Sequence, residues 1–213
     1  DTCELAILRT LLHNHSISMS IAVWIIGGVL VLLAIFVVWA YNRFVTLTQR
    51  AQEAWADIDV QLKRRYDLIP NLVETVKGYA QHERGVFDDV TKARAEATQV
   101  HVDPSDITPE QIQAMAGAES ALSQSLGRLL AVAENYPDLK ASQNFSELQT
   151  ELTDTENKIQ AARRFYNTNV RDLLIALQSF PTNLIGKMFG FTSREYFEIE
   201  EASVERQNID VNF

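Results

Sequence analysis

Apolar residues are distributed along this chain in two different ways. Between Ile21 and Tyr41, 19 of 21 positions are hydrophobic, broken only by Gly27 and Gly28, and none is charged. As a helix this run is about 32 Å long, enough to cross a bilayer core of roughly 30 Å. It is apolar on every face, which argues against a soluble core helix with one polar side. It is also too long for the apolar part of a signal peptide, and no basic segment precedes it closely, although Val38–Trp39–Ala40 resembles a cleavage site. Trp24 near one end and Trp39 with Tyr41 at the other are expected to anchor it in the two lipid interfaces. Arg43 and Arg50 follow the run within ten residues, whereas only Arg9 precedes it. The charge bias therefore places the amino terminus outside and the body in the cytoplasm. Met19–Ser20, just ahead of the run, reads as a start, so residues 1–18 are expected to be an upstream extension; if they belong to the protein, they form a short amphipathic helix on the outer face.

Beyond Tyr41 apolar positions recur every three or four residues, the helical period. Phe44, Leu47, Ala51, Trp55, Ile58, Leu62, Tyr66 and Ile69 form one series; Val73, Val76, Ala80, Phe87, Val90, Arg94 and Ala97 form a second. Pro70 divides them, and since proline lacks a donor and clashes with the preceding turn, a break is expected there, with Asp67 as a cap. Thr108 and Pro109 are expected to open a further helix as cap and first residue, with Ile112, Met115, Leu122, Leu126, Leu129 and Ala133 facing inward. Asn135–Asp138 stops it. The last long helix has the most regular seam: Phe145, Leu148, Leu152, Thr155, Ile159, Ala162, Tyr166, Asn169, Leu173, Ala176 and Phe180. Segments 41–69, 70–100, 109–135 and 142–180 are about 44, 47, 41 and 59 Å long. The expected fold is all-α: one amino-terminal membrane helix (20–41), then an antiparallel, up-and-down four-helix bundle (42–191) with long coiled-coil-like helices, turning at Pro70, and an acidic tail (192–213). The alternative keeps residues 20–100 as one kinked rod packed against a helical hairpin.

Composition narrows the functional classes. The hydrophobic fraction is 46%, and the apolar run takes a large share of it. Nineteen Lys and Arg against 28 Asp and Glu give −9, a poor balance for binding nucleic acid. The single Cys3 can make neither an internal disulfide nor, alone, a zinc site. Five prolines and eight glycines leave the chain free to be helical, and no alternating strand pattern is present.

Catalytic chemistry is not legible. His82–Glu83 begins like a zinc-protease motif, but Val86 stands where the second histidine belongs, and His13, His15 and His101 lie elsewhere. Gly78 and Gly85 do not make a phosphate loop, and Asp57 and Asp59 point to different faces of a helix. No enzyme activity and no cofactor are expected. The strongest polar feature is Lys63–Arg64–Arg65, echoed by Arg163–Arg164 before Phe165 and Tyr166. It lies about 33 Å beyond Tyr41, too far for lipid headgroups, so an acidic helix or a neighbouring subunit is the expected partner. Thr155 and Asn169 interrupt the apolar seam and are candidates for fixing register or oligomeric state, or for bonding inside one bundle. Phe180–Phe191, FPTNLIGKMFGF, carries Leu184, Ile185, Met188 and Phe189 with Lys187 its one charge, and suits either a lipid interface or a lid over the end of the bundle. The tail has six acids against two arginines and ends Val211–Asn212–Phe213, a pattern compatible with strand addition to a groove.

Three strings, Ile58–Glu83, Asn135–Asn167 and Phe180–Phe191, resemble the LemA family of bacterial membrane proteins. The resemblance runs from the apolar span to about Phe197 and leaves out residues 1–18. It implies a single inner-membrane span with a short outward end and a cytoplasmic helical bundle, and it supplies no reaction or catalytic residues. The expected function is that of a scaffold that self-assembles at the membrane, in contact with lipid. The alternative is an adaptor that binds a membrane protease or sensor through its bundle or acidic tail.

Overall fold

The computed structural model describes residues 2–105 and 107–198, with side chains from residue 23 onward. Its elements are α1 (Thr2–Lys77), α2 (Arg84–Gln99), α3 (Pro109–Ala133), the single turn α4 (Pro137–Lys140), α5 (Gln143–Gln178) and α6 (Thr182–Met188). All regular structure among the described residues is helical. The apolar stretch of α1 is long enough to cross a membrane, and almost all of it is exposed, which separates it from a core helix.

Past Tyr41 the same helix becomes one-sided. Phe44, Leu47, Ala51, Ala54, Trp55, Ile58 and Leu62 are buried, while the residues between them are largely exposed. This face packs antiparallel on α5, where Trp55 meets Tyr166 and Arg65 meets Glu156, and Tyr41 meets Phe189 at the end of α6. α2 returns toward the membrane end and α3 runs outward again, the two joined by Arg128 and Asp89 at 3.3 Å. α3 opens with a capping box: Thr108 Oγ1 accepts from the Gln111 amide, and Gln111 Oε1 accepts from the Thr108 amide.

Pro70 does not divide the chain. α1 runs through it to Lys77, Asp67 lies exposed within the helix, and the turn falls at residues 78–83. The reason is local. Proline has no N–H, so the carbonyl four residues earlier, on Tyr66, loses its helical donor. Arg94 Nε of α2 donates to that carbonyl at 2.7 Å and replaces it. With the turn displaced, α2 has 16 residues against 36 in α5, so the near-equal helices expected from the sequence give way to unequal ones. The α2–α3 hairpin packs on the outer part of the α1–α5 pair. The part nearest the apolar span has a separate small core of Ala40, Phe44, Leu47, Leu173 and Ile185, closed by α6.

The α5 seam is buried or half-buried from Phe145 to Ala176, but Phe180 is 80% exposed. α5 ends at Gln178 with Ser179 extended, which swings Phe180 off the seam. After α6 the chain turns at Gly190, whose φ of 73° favours glycine. Phe191 stacks on Phe44 at 5.0 Å. Residues 192–198 then run outward as a strap without regular structure. Asn167 clamps Phe197 by accepting from its amide at 2.9 Å and donating to its carbonyl at 3.1 Å. Tyr166 Oη donates to the Glu195 carbonyl at 3.0 Å. The Phe197 ring is fully buried against Trp55. The acidic tail beyond residue 198, with Val211–Phe213, and the side chains of 1–18 lie outside the described residues.

Arg94 and Pro70 are therefore expected to be coupled. Arg94→Met should cost about 1–2 kcal/mol with Pro70 present, and less than half of that in Pro70→Ala, whose restored N–H takes back the Tyr66 carbonyl. Chemical unfolding of the four variants in detergent, followed by circular dichroism, measures this; equal costs in both backgrounds would refute the replacement.

Candidate functional site

One turn before Pro70, two adjacent residues of α1 reach all three of the other long helices. Arg65 follows Leu62 by three positions and so falls on the inner face of α1. Its side chain is 1% exposed and ion-pairs with Glu119 of α3, which is fully buried. Its other guanidinium nitrogen meets Glu156 of α5 at 2.8 Å, at the edge of the cluster. Tyr66 Oη donates to the free oxygen of Glu119, and its backbone carbonyl takes the Arg94 bond from α2. Glu119 thus accepts from both Arg65 and Tyr66.

The electrostatics follow from burial. A lone buried arginine or glutamate would carry a desolvation cost of several kcal/mol, and pairing with satisfied hydrogen bonds offsets it. Burial pushes the Tyr66 phenol up to about 12, with the Arg65 charge opposing. Burial pushes Tyr166, under the strap, to about 12 as well, with Arg194 opposing. Both phenols are therefore neutral donors at physiological pH. A groove of about 300 Å³ opens beside Arg65 and Glu156, lined also by Leu126, Leu130, Leu152 and Asn157. The arrangement holds charge in place: the arginine is paired with two carboxylates and the phenol donates inward. No group of three or more His, Cys, Asp or Glu that could hold a metal occurs among the described residues.

The structure divides the basic residues singled out by sequence. Arg65 is a core residue, so it presents no surface to another molecule. Arg64 pairs with Glu151 of α5 at 2.6 Å, with both side chains nearly half exposed, an interaction that contributes little by itself. Lys63 and Arg164 are exposed. Arg163 lies 5.3 Å over the Phe197 ring, a cation–π contact with the strap. The acidic partners of Arg64 and Arg65 are thus in the same chain.

Thr155 and Asn169 face the interior of their own chain. Thr155 Oγ1 donates to the Glu151 carbonyl at 2.7 Å, and Asn169 Nδ2 donates to the Phe165 carbonyl at 2.9 Å. Both bonds stay within α5, so neither residue offers its donor to a second copy or to the other. In the terminal segment Ile185 is buried, while Leu184, Met188 and Phe189 are exposed. Trp24, Trp39 and Tyr41 present exposed rings.

Glu119 and Tyr66 as a pair, Glu156 and the Asn167 clamp are the residues that sequence reasoning missed. A signal for Glu119 existed: it lies four residues after Met115 and three before Leu122, inside the apolar register of α3. A carboxylate there has to be paired. The Asn167 clamp joins positions 30 residues apart, and no local pattern announces it.

These features define a helical protein with one membrane-length apolar helix and a body tied together by a buried arginine cluster. The sequence pattern of the LemA family matches residues 54–213, and the chain belongs to that family. It is 27% identical over 179 residues to the magnetosome protein MamQ of Magnetospirillum gryphiswaldense and to magnetosome protein MamQ 1 of Paramagnetospirillum magneticum. Each alignment covers 76% of this chain and 66% of the relative, so the chain spans just under two thirds of those proteins. Identity to protein LemA of Metamycoplasma hominis is 26% over 171 residues, covering 80% of this chain and 74% of that one.

Breaking the cluster on one side should be worse than removing it. Glu119→Leu is expected to cost about 3–5 kcal/mol by stranding Arg65, and Arg65→Met with Glu119→Leu to recover most of that loss. Denaturant unfolding of the three proteins decides it, and a double variant as unstable as the single one would contradict the pairing. The tyrosines give a pH prediction. Their folded pKa is raised above the unfolded value near 10, so stability is fully present below pH 10 and is lost as pH rises through about 12. Ultraviolet titration of the full chain should show a late step that disappears in Tyr66→Phe/Tyr166→Phe.

Proposed function

We propose that this chain is a membrane-anchored scaffolding protein whose helical body self-assembles at the bacterial inner membrane. In this reading α1 crosses the bilayer with its amino terminus outside, and Arg43 and Arg50 hold the body in the cytoplasm. The outer parts of α1, α2, α3 and α5 act as an antiparallel four-helix unit, stiffened by the Arg65 cluster. The observation that carries the reading is the exposure of Val60 on α1 with Phe165 and Ile175 on α5. These are large exposed apolar side chains on the two longest helices, in a chain confined to a surface, where contact between copies would bury them. Arg64, Arg65 and Arg163, first considered for self-assembly, are spent within the chain, which moves the expected contact from charge to these apolar side chains. Membership of the LemA family fits a helical membrane protein and brings no reaction with it.

Full-length protein in nanodiscs or mild detergent should migrate as discrete oligomers on blue-native gels and cross-link between copies. Val60→Glu with Phe165→Glu should weaken that association at least tenfold while leaving the helical content intact. A monomer at membrane-like density would defeat the scaffold reading and favour the adaptor for a membrane protease or sensor.

A further inference from the structure

The terminal helix α6 has apolar side chains on two sides, and the body uses one of them. Ile185 and Gly186 turn inward. A Cβ at Gly186 would stand 2.9 Å from Leu177 Cδ2 and 3.1 Å from Phe44 Cζ, so glycine lets α6 seat tightly against α1 and α5. Leu184 and Met188 are four apart, the spacing of a single helical face, and are 58% and 63% exposed, with Phe180 just ahead of the helix exposed as well. Four exposed apolar residues, with Phe189 the last, thus lie within ten positions.

Where this face sits says what covers it. Phe189 meets Tyr41, the last residue of the apolar run, at 5.0 Å, and Phe191 meets the same ring at 5.6 Å. α6 therefore lies beside α1 within about one helical turn of the end of the span, the depth at which headgroups meet acyl chains. Charge points the same way. The protein carries −9 overall, yet residues 40–52 and 173–193, which meet at this level, hold Arg43, Arg50 and Lys187 and no acid. Two copies meeting collar to collar would set like charges against each other, whereas anionic phospholipid is attracted to it.

We infer that α6 is an interfacial foot: Phe180, Leu184, Met188 and Phe189 seat in the bilayer surface, and Lys187 with Arg43 meets anionic headgroups. This rests on the reading that α1 spans the membrane. It goes beyond that reading by giving the body a second attachment, which fixes how the α1–α5 pair leans on the lipid.

Spin labels on the full chain test it. With Cys3→Ser as background, single cysteines Leu184→Cys and Met188→Cys are labelled with a nitroxide and reconstituted into vesicles of phosphatidylglycerol and phosphatidylcholine. Val31→Cys, inside the apolar run, and Asp154→Cys, on the exposed far part of α5, serve as references. Labels at 184 and 188 should collide with oxygen severalfold more than with a water-soluble nickel chelate, as at 31 and opposite to 154. Adding Lys187→Glu should raise nickel access at 188 several-fold. Labels at 184 and 188 that behave like 154, while 31 remains shielded, would overturn the foot and leave the span standing. Nickel access at 31 would overturn the span itself. Dipolar broadening at 188 that vanishes on dilution with unlabelled protein would assign the face to a second copy and overturn the lipid.

Discussion

The structure depends on a hydrogen bond that the sequence removes and a distant residue replaces. Pro70 deprives the Tyr66 carbonyl of its donor in the middle of a helix that continues to Lys77. An interior proline typically costs about 3 kcal/mol or more and often ends the helix. Here the freed carbonyl receives the Arg94 guanidinium at 2.7 Å, a charge-assisted bond stronger than the amide bond it replaces. The proline thus creates an acceptor facing α2, and the arginine uses it to fix where α2 crosses. The replacement keeps residues 71–77 in one rod with the rest of α1.

Around that point the polar contacts are layered. Arg65 and Tyr66 converge on Glu119 of α3, Arg65 continues to Glu156 of α5, and the Tyr66 carbonyl meets Arg94 of α2, so the contacts tie α1 to three helices. An all-apolar core of equal volume would be as stable, because desolvating two charges roughly cancels their attraction. Charge adds directionality. Leucines at these positions would tolerate sliding by a turn, whereas a guanidinium held between carboxylates on α3 and α5 tolerates one alignment. This accounts for a register-setting role residing in Arg65 and Glu119, while Thr155 and Asn169 simply return their donors to α5.

Much of the fold was legible because helical periodicity is a local property. The apolar run, the α3 cap at Thr108 and the α5 seam could each be read within a few residues. What failed were inferences in which a local rule was overridden from outside. Pro70 obeys the local rule for ending a helix, and its exception is supplied by Arg94, which a sequence pattern can place on an inner face without saying what it meets. The basic triplet at 63–65 suits an acidic helix or a neighbouring subunit, and its pattern alone does not say which of its residues faces inward. Helical geometry puts adjacent residues about 100° apart, so Arg65 turned inward while Lys63 stayed exposed. Phe180 continued the seam arithmetically, but the helix under it had already ended. The strap was illegible for a different reason, since its clamp joins residues 30 positions apart through a side-chain amide that any polar helix surface offers.

The two cores explain why the strap is needed. The large core lies in the outer body, while the small one, around Phe44 and Leu173, sits beside the apolar span. Between them α1 and α5 form a two-helix section, which has little apolar surface to bury by itself. Phe191 packs on Phe44 in the small core, and Phe197 packs on Trp55 in the large one. From Phe44 to Trp55 is about 16 Å along a helix, and the six residues from 191 to 197 span about 20 Å when extended. The strap is therefore long enough to bridge the two cores directly. It gives the two-helix section a third layer, with Arg163 laid over the ring that closes it. A chain tied in this way has packed side chains running from the apolar span to the outer body, so a load placed on α6 would be shared by both cores.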